Sequence, residues 1–99
     1  MTDLKGRTSH DEIKNDPDFK HAYKLAGEIS AQVKKYVLAN HKKPNIDLDY
    51  VIKTGIILFI AEMISNLSKE EDVALQHFEQ IVINTAQTIR NAYKFKGAH

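Results

Sequence analysis

Leu48–Leu67 reads LDYVIKTGIILFIAEMISNL, and how this stretch is sheltered decides the fold. Thr54 to Ala61 carries no charge. A helix turns about 100° per residue. At that pitch Ile56, Ile57, Leu58, Phe59, Ile60, Met63 and Ile64 spread around the whole circumference. Lys53 and Glu62 fall on opposite sides of the axis, so no polar stripe remains. A helix that is apolar all round is either buried or spans a membrane. A span needs about 20 mostly apolar residues. Asp49, Lys53 and Glu62 interrupt this one, and a charge in lipid is costly. A buried helix and no membrane is the expectation.

Burial demands cover, because each large side chain taken out of water contributes roughly 1.5–3 kcal/mol. Only two other long helical patterns exist in the chain, and two neighbours shelter two sides of a cylinder. The third side calls for the N-terminal segment folded back or for a second copy of the chain. The second copy is favoured, with Ile56, Phe59, Ile60 and Met63 as the dimer contact.

Upstream, Asp16-Pro17-Asp18 starts a helix, with Asp16 accepting from the free amides and Pro17 where no donor is needed. Phe19, Ala22, Tyr23, Ala26, Ile29, Val33, Tyr36 and Val37 form one stripe of this helix, opposite Lys20, Lys24, Glu28, Gln32 and Lys35. It stops at Asn40-His41-Lys42-Lys43-Pro44, where cations suit the end of the helix dipole and Pro44 restricts the residue before it. Asn45 to Asp47 connect to the central helix and cap it. Nearer the start, Met1 to Thr8 read as a mobile tail. Ser9-His10-Asp11-Glu12 fits a capping box for a short turn over 9–15, anchored by Ile13 alone.

Downstream, Ser68-Lys69-Glu70-Glu71 is a second capping box. The last helix is expected over 69–94, with Phe95 to His99 frayed. Leu75, Phe78, Val82, Thr85, Ile89 and Ala92 make a seam with 3-4 spacing. The short link after the central helix favours an antiparallel hairpin. Gly27 and Gly55 lie inside helices. Gly27 stands beside the small residues Ala22, Ala26 and Ser30, which points to close helix approach.

Ninety-nine residues suffice for one core. Without cysteine there is no disulfide framework, thiol chemistry or thiolate metal site. Fourteen basic residues against 13 acidic ones leave a formal net charge of +1, so bulk charge favours neither nucleic acid nor an anionic surface. The opening MTDLKGRTSHDEIKND lacks the apolar core of a secretion signal, and a cytoplasmic location is the default.

Chemistry-bearing patterns are sparse. His10, His21, His41, His77 and His99 are scattered, and neither HExxH nor a Glu-x-x-His pair occurs. Neither a G-x-S-x-G nucleophile elbow nor a Gly-rich phosphate loop is present. Glu62 reads either as a buried acid with a raised pKa or as a rim carboxylate that reaches water or a lysine. The rim is favoured, and Lys53 is read the same way. No catalytic residue, metal or cofactor is expected, and hence no enzyme. A pocket for a small ligand between helices stays open, since Phe59 and Met63 could line one.

Two surfaces suggest binding. Gln80, Ile83, Gln87 and Asn91, flanked by Gln76 and Lys94, make an amide-rich and charge-poor row on the last helix. Interface cores are depleted of charge in this way. The second is basic: Lys42 and Lys43 after the first long helix, and Arg90, Lys94 and Lys96 near the end of the last. Such cations can hold phosphates, though the helix dipole alone also accounts for them. The expected fold is all-α, a three-helix bundle-like domain over 16–96 with helices at about 17–40, 48–67 and 69–94. Its central helix is buried, in a homodimer. The expected function is a non-catalytic protein-protein interaction module: an adaptor, chaperone or inhibitory regulator. The alternative is a nucleic-acid-binding regulator.

Overall fold

The computed structural model describes residues 3–97, and every regular element among them is helical. In chain order they are α1 (His10–Asn15), α2 (Pro17–Asn40), α3 (Leu48–Leu67) and α4 (Glu71–Gly97). Local side-chain chemistry sets each start. Ser9 Oγ accepts from the Glu12 amide at 3.3 Å, and the Ser9 carbonyl takes the first bond of α1. Asp16 Oδ1 accepts from the Asp18 amide at 2.8 Å with Pro17 at the first helical position. Asp47 Oδ1 does the same for Tyr50 at 3.2 Å. The end of α2 is held by Asn40, whose side-chain amide donates to the Tyr36 carbonyl at 2.8 Å.

The last helix departs from expectation at both ends. It begins at Glu71 and not at Lys69. Ser68 Oγ reaches the amide of Glu70 at 3.1 Å, and the Glu70 carbonyl accepts the first helical bond, from Ala74. The serine thus closes a tight turn ahead of the helix instead of capping it. At the other end α4 continues through Gly97, past the expected stop at Lys94. Lys94 and Lys96 lie in its last turn, where cations oppose the negative end of the dipole. Ala98 and His99, the end of the expected frayed tail, lie outside the described residues, as do Met1 and Thr2.

Midway along α4, three side chains bond back onto their own helix. Asn84 Nδ2 donates to the Gln80 carbonyl at 3.0 Å, Thr85 Oγ1 to that of Ile81 at 2.7 Å, and Thr88 Oγ1 to that of Asn84 at 2.8 Å. Such bonds compete with the helix ladder and slightly weaken it.

Residues 3–7, expected as part of a mobile tail, close into a loop around one carboxylate. Asp3 Oδ1 accepts from the amides of Lys5 (3.0 Å) and Arg7 (2.7 Å). Asp3 Oδ2 accepts from Arg7 Nε (3.0 Å) and Nη2 (2.7 Å). Gly6 turns the corner with φ at 80°, a conformation costly for any residue with a Cβ. The guanidinium hydrogen bonds from Arg7 chiefly hold the Asp3 carboxyl below its ordinary value. A lowered carboxylate pKa means that the loop's electrostatic support is complete above the ordinary carboxylate range. It is lost as pH falls through the lowered value. In an NMR titration, the Arg7 amide is expected to shift at a lower pH than a free aspartate would dictate. In Arg7→Gln that transition is expected to move up.

The helices gather into two compact units. One holds α2 and α3 through Glu62. The other holds α4, the end of α3 from Met63, and the N-terminal residues through Ile13. The stretch 16–96, expected as one domain, runs through both.

Burial is sparse. α2 and α4 each have an apolar side, whereas α3 is apolar with almost no directional bias. Yet Ile64 is the one buried residue of α3, at 6% exposure, while Ile57 and Leu58 stand 64% and 65% exposed. The buried central helix expected from the sequence is therefore not found within one chain. A single amphipathic neighbour such as α2 covers one side of a cylinder, and an all-round apolar helix has more sides than that. Ile13 and Asn40 complete the buried set among the described residues. The close approach expected at Gly27 is also missing, since a Cβ added there would meet no atom within 4 Å.

Candidate interaction interface

The α2–α3 unit carries an apolar groove. Ile29, Gln32, Val33 and Tyr36 form its α2 wall, and Val51, Ile52, Gly55, Ile56 and Phe59 its α3 wall. These positions recur every three to four residues, so each wall is one side of its helix. The open space between them is about 500 Å³. Among the lining side chains only Gln32 and the Tyr36 hydroxyl are polar, and none is charged.

The structure divides the four expected dimer residues. Ile56 and Phe59 both line the groove, 49% and 48% exposed. Ile60 is half-buried and lies off its lining, and Met63, exposed, belongs to the other unit. The α2 wall was not expected as an interface. Its 3-4 spacing was visible, but that pattern marks a side that needs cover without saying which surface supplies it.

On α4, Gln80, Ile83 and Asn91 are exposed and Gln87 is half-buried. Ile83 is 60% exposed. Gln87 Nε2 donates to Asn91 Oδ1 at 3.1 Å, so the two amides stiffen each other along the row. Lys42 and Lys43 are exposed in the α2–α3 connection, and Arg90, Lys94 and Lys96 on the last turns of α4. The first pair belongs to one unit and the other three to the second. Lys96 Nζ sits 5.3 Å from the centre of the Tyr93 ring, a cation-π distance.

Glu62 is exposed, in keeping with a rim carboxylate. Lys53 Nζ pairs with Asp49 Oδ2 at 3.0 Å. Both side chains are more than 70% exposed, where such a pair contributes little. No titratable side chain is buried among the described residues. Nor do three or more histidine or carboxylate groups among them cluster as metal ligands. No helix among them is long and apolar enough to cross a membrane. No family model, no curated protein and no solved structure matches this chain.

Proposed function

We propose that the protein is a non-catalytic helical interaction module, of the adaptor, chaperone or inhibitory-regulator kind, working as a homodimer. One observation carries this reading: apolar side chains stand open to solvent on all three long helices. Tyr36, Phe59 and Ile89 are examples. A second copy covers part of this apolar surface, and a protein partner on the Gln80, Ile83, Gln87 and Asn91 row covers more.

Sedimentation equilibrium from 1 to about 100 μM is expected to give twice the chain mass, and a single-chain mass throughout would end the reading. For the partner row, Ile83→Glu is expected to abolish co-purification of the protein that the wild type retains. Helical circular dichroism and dimer mass should stay unchanged. Undiminished capture would remove the row from the interface.

The exposed Lys42, Lys43, Arg90, Lys94 and Lys96 support a second reading, a nucleic-acid-binding regulator. Retention on DNA at low salt, lost steeply as salt rises, is its signature.

A further inference from the structure

The last two turns of α4 bring together cations and an open aromatic ring, with no acid among them. Glu71, Asp72 and Glu79 are the acidic residues of this helix, and from Gln80 to Gly97 there is none. Arg90, Lys94 and Lys96 fall in that acid-free half and are exposed. Neither Arg90 nor Lys94 makes an ion pair among the described residues. The helix dipole accounts for Lys94 and Lys96, which lie in the last turn. It does not account for Arg90, one turn further in, because the effect fades beyond the last turn. Nor does it ask for an aromatic ring, yet Tyr93 stands 69% exposed. Residues three and four apart are neighbours on a helix surface. Arg90 and Lys96 therefore flank Tyr93 along the helix, and Lys94 stands beside Arg90. The Lys96 ammonium already rests against the ring, 5.3 Å from its centre.

We infer that this end of α4 binds single-stranded nucleic acid, with a base stacked on Tyr93 and with Arg90, Lys94 and Lys96 on the backbone phosphates. The inference rests on the nucleic-acid reading above and gives it a site and a strand state. Unpaired strands are held by cations set beside aromatic rings: the charge tracks the backbone, and the ring takes the face of a base. In a duplex those faces are closed against one another, so a ring on a helix surface has nothing to stack on. The Lys96 contact is weak at an exposed site, so it yields to a base and frees the ammonium for a phosphate. An anionic membrane would also attract these cations, but helices that lie on membranes keep their apolar and charged sides apart. Here Ile89, Tyr93 and Lys96 follow one another at 4-3 spacing, so a cation stands in line with the apolar groups.

Fluorescence anisotropy with the full chain tests the site. The probes are labelled oligothymidylate and oligouridylate of about 20 nucleotides, room for at least one strand-binding site. A DNA duplex of equal length and phosphatidylserine vesicles complete the set, all at low salt. One or both single strands are expected to bind roughly fivefold or more tightly than the duplex, and the tighter of the two names the sugar. Tyr93→Ala is expected to weaken single-strand binding roughly fivefold or more, the low end for one lost stack, while Tyr93→Phe keeps it. Arg90→Gln with Lys94→Gln is expected to flatten the log–log salt dependence by about 1.4, about 0.7 for each phosphate contact. Lys42→Gln with Lys43→Gln should change neither reading. If Tyr93→Ala loses its helical circular dichroism, the Arg90 and Lys94 pair decides. Binding that survives the α4 changes and is lost with Lys42 and Lys43 would overturn this site and leave the nucleic-acid reading standing. A preference for the duplex would overturn the strand assignment. Vesicle capture without oligonucleotide binding, or no binding to any probe, would overturn both.

Discussion

Phe59→Glu is expected to return the protein to single chains at concentrations where the wild type is a dimer. The loss in association should be at least 100-fold, about 2.7 kcal/mol. The ring is half-exposed in one chain and lines an uncharged groove. Sealing that groove with a second copy removes water from whatever stands at position 59. A carboxylate there loses its hydration and finds no cation among the lining residues. In a two-fold dimer the change enters twice. Ile57→Glu is the matched control, because position 57 lies on the far side of α3 and is 64% exposed. Sedimentation equilibrium on both variants decides the matter. Dissociation by both would mean that α3 is enclosed on all sides, and dissociation by neither would clear α3 of the contact.

Ile64→Ala is expected to lower unfolding stability by about 2–4 kcal/mol, the usual cost of emptying a buried aliphatic site. Ile64 and Ile13 are the two buried hydrophobic side chains among the described residues, so little other packing compensates. Ile57→Ala should cost much less, near the ±0.5 kcal/mol of ordinary surface substitutions. Urea unfolding followed by circular dichroism tests the pair. Protein concentration must be fixed, because association adds to apparent stability. Equal losses at positions 57 and 64 would show that Ile57 is as well covered in solution as Ile64.

Helix starts were legible wherever a short polar side chain preceded an apolar run. Ser9, Asp16 and Asp47 each accept from an amide two or three residues on, as their types require. Ser68 shows the limit of that reading: serine closes a turn and caps a helix with the same oxygen, and sequence spacing does not choose between them. The Asp3 loop was missed although its signal was present. An aspartate three residues before glycine, with arginine next, can satisfy its carboxylate locally and needs no packed core.

The candidate interface was half legible. An amphipathic stripe such as Ile29, Val33 and Tyr36 announces a side that wants cover. An all-round apolar helix such as α3 does not say which of its residues turns inward. Ile56 and Phe59, which sit mid-run, line the groove. Their neighbours across the groove depend on how α2 lies against α3, which no local pattern encodes.

The back-bonded turns of α4 bear on the row around Ile83. A 27-residue helix is about 40 Å long. Asn84, Thr85 and Thr88 loosen its ladder midway, between Gln80 and Asn91. Side chains that pull on the i−4 carbonyl commonly bend a helix. The ladder is thus weakened within the span of the amide row, which favours a bend there toward a curved counterpart.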